Sequence, residues 1–405
     1  MKVVICSDLH LGRSFAPFSK GGDLRAETLS REELAVPGKL AATVKEKGAR
    51  ALLIAGDLFD DHRFNDQIYE ALRTCFESIP DTHVFIAPGS SDPYLPESPY
   101  RRAKWPENVH IFKNKLKAFE IAAESASDLP VRVYGIGCTG HGNTACQVYF
   151  QKLPAPDPAY LNVLLIHSAP VADGGIPDRH SLEKAGFDYY IFGKSHHNYM
   201  PETVGNSTFL FPGALIPHSF WDGNYPPSSG NSEAGNGLLA GELTRGSCDL
   251  SFERLFSRCL EERTIDVSAI YGALTPGPCR EQDLTAAKES LRSMIRSAFT
   301  SAENVAVAVL TGTATPEVRA VMPEVEAELA HTYFSMKLID RTDLVVPDYR
   351  LPDGSRKTVA EVTGEFDRLA ADNTCPEDVL RMARNFALAA LTGAALKEDD
   401  RHDDF

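Results

Sequence analysis

Two things are scarce in this 405-residue chain: long apolar runs and basic charge. No stretch approaches the roughly 20 apolar residues needed to cross a bilayer, so the sequence gives no ground for a membrane span. Lys and Arg total 41 against 56 Asp and Glu, a formal net charge of -15. That excludes a surface that coats polyanions indiscriminately, because phosphate contacts are made by Lys and Arg. A local basic groove stays open, and carboxylates in excess suit a metal site. The eight cysteines (Cys6, Cys75, Cys138, Cys146, Cys248, Cys259, Cys279 and Cys375) contain no CxxC pair. A zinc or disulfide framework is therefore not expected, and reduced thiols in a cytoplasmic protein are. The opening MKVVICSDLHLG turns polar too soon for a signal peptide and reads as a buried strand.

What is present is ordinary for a globular protein, with 43% hydrophobic and 24% charged residues. The length exceeds what one core usually serves, so two domains are expected. Apolar runs recur and end in polar residues: KVVICSDLH, ALLIAGDLFD, THVFIAPGSSDP, NVLLIHSAP and DYYIFGKSHH. In layered α/β proteins ligands sit at that edge of a sheet. LSREELAVPGKLAATVKEKG and DQIYEALRTCFESI read as helices between the early strands. The later strands have few helices between them, which suggests two packed sheets. The expected fold is a four-layer α/β sandwich of two mixed β-sheets flanked by helices, over residues 1–257. A smaller α+β domain is expected over 258–350, then a terminal helix pair over 351–397 and a disordered acidic tail over 398–405. Residues 222–237, rich in Gly, Pro, Ser and Asn, read as a long surface loop.

The strand tips carry the chemistry. In order they supply Asp8-x-His10, Gly56-Asp57-Leu58-Phe59-Asp60, Gly89-Ser90-Ser91-Asp92, His167 and Gly193-Lys194-Ser195-His196. Taken singly, each is bland: a Gly-Asp at a strand end marks a turn, and a lone histidine is most often a hydrogen-bonded core residue. The conjunction, one per strand tip, is not bland. Carboxylates and imidazoles together suit Mn, Fe or Zn. In a two-metal phosphoesterase one carboxylate bridges ions about 3.5–4 Å apart, and Asp57 has the natural place for it. Asp8 and His10, two apart, can face the same side of an extended segment. Tyr94, Tyr100, Arg101, Arg102 and Trp105 form a basic, aromatic stretch that either contacts nucleic acid or packs on the domain.

This order resembles the metallophosphoesterase signature DxH, GDxxD, GNHD, H, GHxH. SDLHLG, AGDLFD, the stretch from Pro88 to Arg101 and WPENVHIF are similar to the DNA-repair exonuclease branch of the calcineurin-like metallophosphoesterases. That branch includes the SbcCD nuclease subunit and YhaO-type proteins. The resemblance implies one metal on Asp8, His10, Asp57 and His196, and a second on Asp57, Ser90, His167 and position 194. It also implies a catalytic group at position 91. Here GNHD has become GSSD and GHxH has become GKSH. Lys194, when protonated, donates only and cannot ligate. It would stand as a cation near the second metal's place, salt-bridged to Asp57 or gripping a phosphate oxygen. Ser91 cannot act as an acid near neutral pH. His62, Asp60, Asp92 and His197 are residues that could rebuild the missing shell. One tightly held divalent ion is expected, Mn²⁺ before other transition metals, with a second weak or absent. The implied function is a metal-dependent phosphodiesterase acting on DNA beside an SMC-like ATPase, with reduced activity; a homodimer is also open. The alternatives are an inactive scaffold subunit and a nucleotide or small-molecule phosphodiesterase. The ATPase would dock on the terminal helices, whose stripes are Val359, Val362, Phe366 and Leu369, then Val379, Met382, Phe386, Leu388 and Leu391.

Overall fold

The structure is a computed structural model. It describes residues 1–18, 24–123, 125, 128–141, 153–168, 179–196, 199–220, 236–271, 281–299, 301–344 and scattered positions between 364 and 387. His197, most of the 222–237 loop, the acidic tail and most of the terminal helix pair lie outside the described residues. The chain divides into two compact units, Met1–Leu260 and Glu261–Phe405.

The first unit opens with β1 (Lys2–Cys6), then α1 (Arg25–Glu33), α2 (Val36–Lys47), β2 (Ala51–Ile54), α3 (Asp66–Glu77), β3 (His83–Ile86), α4 (Pro99–Arg102) and β4 (Val109–Ile111). The single helix expected across 29–48 is two, because Pro37 lies in the first turn of α2. A proline fits there, where an N–H would have no intrahelical partner, and breaks a helix that tries to run through it. α3 starts where Asn65 accepts from the N–H groups of Gln67 (2.9 Å) and Ile68 (3.1 Å), a cap worth about 1 kcal/mol. Next come β5 (Lys117–Ile121), β6 (Val131–Ile136), β7 (Leu161–His167), α5 (Arg179–Glu183), β8 (Tyr189–Gly193), β9 (Tyr199–Val204), β10 (Ser207–Phe211), β11 (Leu238–Thr244) and β12 (Ser247–Glu253).

Among the described residues these strands form two six-stranded mixed sheets, ordered β12-β11-β1-β2-β3-β4 and β5-β6-β7-β8-β10-β9. β1, β2 and β3 run parallel, as do β6, β7 and β8. Strands covered on both faces read as unbroken apolar runs, and β2 and β7 are buried at every residue. The inner faces meet in one core, with Val3, Leu53 and Phe85 from the first sheet and Val133, Val163 and Ile191 from the second. A second cluster, including Tyr190, Phe192, Phe209 and Leu182, covers the outer face of the second sheet. The layered α/β class expected from the sequence is the one observed.

The second unit contains β13 (Leu260–Asp266), α6 (Ser268–Tyr271), α7 (Glu281–Ala298), β14 (Val305–Thr311), β15 (Thr313–Ala314), α8 (Pro316–Leu329), β16 (Ser335–Asp340) and β17 (Asp343–Leu344). β13, β14 and β16 make a three-stranded sheet. Leu291 and Ile295 of α7 and Val325 of α8 pack with Ala306, Ala308 and Leu338 of the sheet in a separate core.

One cysteine departs from expectation. Cys138, at the tip of β6, is disulfide-bonded, and its partner lies outside the described residues. Cys6, Cys75, Cys248 and Cys259 are free thiols.

Candidate metal centre

The centre is assembled where parallel strands of both sheets end. Beyond β1 the segment Asp8–Leu11 is zipped to the tip of β2: Asp8 N–H donates to Gly56 O (3.0 Å), His10 N–H to Asp57 O (2.9 Å) and Leu11 N–H to Leu58 O (3.1 Å). β7 ends in His167, and the end of β8 carries Lys194 and His196. Among the described residues four non-glycines have positive φ, and all four are here: Asp8 (52°), His10 (47°), Asp57 (48°) and Lys194 (74°). Backbone strain of this kind persists where the surrounding structure over-determines it, and it concentrates at functional sites. Two glycines make room. A Cβ on Gly56 would stand 2.5 Å from His167 Nδ1, and one on Gly89 would collide with the Asp57 carboxylate.

Asp57 is the hub. Its Oδ2 lies 3.5 Å from His10 Nε2 and 3.4 Å from His167 Nε2. His196 Nε2 is 3.4 Å from His10 Nε2 and 3.7 Å from Asp8 Oδ1. Two groups of side chains could therefore each hold an ion, Asp8–His10–His196 and Asp8–Asp57–His167. The rings are aimed by their other nitrogens. His167 Nδ1 donates to Ala55 O at 2.8 Å, and His10 Nδ1 stands 3.1 Å from Asp60 Oδ1. That points the Nε2 of each ring at the centre, where a metal would take the place of a proton, the arrangement that outer partners impose on metal-binding histidines. His167 Nε2 is buried, within ion-pair reach of Asp57 Oδ2 but outside hydrogen-bond geometry. A buried nitrogen met so loosely is costly unless something fills the gap, and two carboxylates with three imidazoles fit a divalent transition metal.

Charge follows the same geometry. Burial works to raise the Asp57 carboxyl, but His167 and His10 overcome it and hold it well below the usual carboxylate range. For His167 burial opposes the charged ring, while Asp57 and then Asp8 hold it up, to about 9. Without a metal, the centre keeps Asp57 as an anion against a protonated His167.

The departures from the signature have definite places. Ser91 donates from N (2.8 Å) and Oγ (3.0 Å) to the two oxygens of Asp57. The Ser90 carbonyl faces His141 Nδ1 at 3.2 Å. Lys194 is half-buried, and its backbone N–H donates to both oxygens of Asp8, at 3.2 and 3.1 Å. Asp60 orients His10, and Asp92 faces away from the centre onto backbone N–H groups. His62 stacks on His141 with centroids 5.1 Å apart; nothing in the sequence around His141 marked it. Tyr100 and Trp105 pack inward, in contact with each other. Tyr94 lies between Arg101 and Lys113, each 5.9 Å from its ring.

The two mixed sheets and these clusters make a layered α/β frame with a candidate site for a divalent metal. Residues 1–198, just under half of the chain, match the family model described as calcineurin-like phosphoesterase. No curated protein matches the chain. Solved structures similar to it include TT1561 of Thermus thermophilus, at 14% identity over 63% of this chain and 98% of that one, TM-score 0.36. A dimetal phosphatase from Danio rerio gives 11%, 63%, 99% and 0.35. Vps29 of Chaetomium thermophilum gives 11%, 60%, 85% and 0.28. No helix among the described residues is long and apolar enough to cross a membrane.

Proposed function

We propose that the chain is a metal-dependent phosphodiesterase of the DNA-repair exonuclease type, holding one divalent ion tightly, with Mn²⁺ the first choice. The observation that carries this is Asp57 Oδ2, set almost equally from His10 Nε2 (3.5 Å) and from the buried His167 Nε2 (3.4 Å). A divalent ion there would polarise the phosphate and acidify a water. The chain's own part is to hold that geometry. Asp60 and Ala55 fix the rings, Ser91 fixes the Asp57 carboxylate, and the Lys194 amide fixes Asp8. The Lys194 ammonium serves as the second electrophile, gripping a phosphate oxygen. DNA as substrate rests on the resemblance of the strand-tip motifs and on the cations beside Tyr94.

The test measures turnover of bis-p-nitrophenyl phosphate, linear DNA and a cyclic nucleotide with Mn²⁺. Asp57→Asn should abolish metal-dependent turnover. Joint Ser90→Asn, Ser91→His and Lys194→His should raise it by roughly 10²–10⁴-fold, the usual worth of acid–base help. Turnover untouched by Asp57→Asn would sink the reading. One second reading is favoured by the Ser91 hydroxyl on Asp57, which takes up a lone pair a second ion would need: an inactive scaffold subunit. Activity absent both before and after the triple exchange would select it.

The same reading includes a coiled-coil ATPase as partner. Val379 and Phe386, seven positions apart in the sequence, are 47% and 41% exposed. Deleting 351–397 should abolish capture of that ATPase and leave Mn²⁺ uptake intact; capture that survives would remove the partner from the proposal.

A further inference from the structure

We infer that Asp92 and Tyr100, neither of which reaches a metal, set the metal affinity of the centre by pinning Asp57 from behind. The Asp92 side chain is wholly buried. Its Oδ1 accepts from Gly89 N–H (2.5 Å) and Asp57 N–H (3.2 Å), and its Oδ2 from Leu58 N–H (2.7 Å) and Tyr100 O–H (2.6 Å). An ionised carboxylate has about four acceptor sites, and here all are filled. An aspartate that served only its own turn would bond locally. This one reaches back 34 and 35 positions to the strand tip that carries Asp57.

The backbone it holds is the strained one. Asp57 has a φ of 48°, and the N–H groups on both sides of its Cα go to Asp92. With that backbone fixed, the Asp57 carboxylate is carried toward His10 and His167, where Ser91 meets it. Tyr100 closes the chain. It is buried, and its short helix is anchored where Ser98 Oγ accepts from Tyr100 N–H at 3.3 Å. The phenol therefore arrives from a fixed direction and prevents Asp92 from turning. Tyr100, part of a stretch that the sequence left open to nucleic acid, is thus a positioning residue. Outer partners that orient a ligand are typically worth 10–100-fold in metal affinity.

The inference rests on the metal-site reading, and the experiment separates the two. Mn²⁺ is titrated into full-length wild type, Tyr100→Phe, Asp92→Asn and Trp105→Phe, and the melting temperature of each metal-free protein is recorded. Trp105 packs on Tyr100 but has no bond to Asp92, so Trp105→Phe reports packing damage alone. Tyr100→Phe should weaken Mn²⁺ binding by about 10-fold, while Trp105→Phe leaves it unchanged at a similar loss of melting temperature. Asp92→Asn should weaken it further; if that variant fails to fold, Tyr100→Phe still decides. Equal Mn²⁺ affinity in wild type and Tyr100→Phe overturns the inference and spares the metal site. A wild type that takes up no Mn²⁺ overturns both.

Discussion

At the scale of single residues, the least expected group is Glu33. It is buried at the end of α1 and accepts from Gly12 N–H at 3.1 Å, just past the Asp8–Leu11 segment. His218 Nε2 lies 3.7 Å away and also faces Leu9 O, at 3.0 Å. Burial, with a further push from Asp60, raises its carboxyl from 4.5 to about 8, against the lowering pull of the Gly12 amide. The folded protein therefore keeps a proton that the unfolded chain releases above about pH 4.5. Stability from this group is complete below that pH and is lost as pH rises through about 8. Glu33→Gln keeps the neutral form at every pH. The melting temperature of Glu33→Gln minus that of wild type should climb from pH 4.5 to 8 and then level off. Parallel curves would mean that Glu33 is ionised in the fold. Asp60, Asp92 and His141 teach a related lesson. Each bonds to partners 34 to 51 positions away, and no local spacing encodes such meetings. Asp60 and Asp92 could be named from the sequence as polar residues near the site, but not given their roles.

At the scale of elements, legibility tracked burial. β1, β2, β3, β7 and β8 were readable because parallel strands covered on both faces are unbroken apolar runs. Their tips gave Asp8, His10, Asp57, His167 and His196 directly, and the structure brings all five together. β5 was not readable: KAFEI is mostly part-exposed at a sheet edge and shows neither an apolar run nor a clean alternation. In the second unit α7 was legible from its periodicity, and Ala287, Leu291 and Ile295 recur at four-residue steps on the buried face. Leu291→Ala should cost about 2–5 kcal/mol, and the loss should belong to the second unit. Calorimetry should show one transition falling while Mn²⁺ uptake at the first unit persists. If uptake falls in step, the two cores are not energetically separate.

At the scale of the whole molecule, the formal charge of -15 means that long-range attraction does not draw a polyanion to this chain. Whatever phosphate it handles must be recognised at close quarters, which places the burden on the centre between the sheets. That centre has a cost of its own. A left-handed backbone costs a residue with a side chain roughly 1–2 kcal/mol, and glycine escapes the penalty. Four such residues stand together here, Lys194 among them. Glycine at Asp8, His10 or Asp57 would relieve that cost but leave the Lys194 amide, Asp60 or Ser91 without the partner it now has. Lys194 is different: its amide would still hold Asp8 after exchange for glycine, so those bonds do not repay the strain of keeping its side chain.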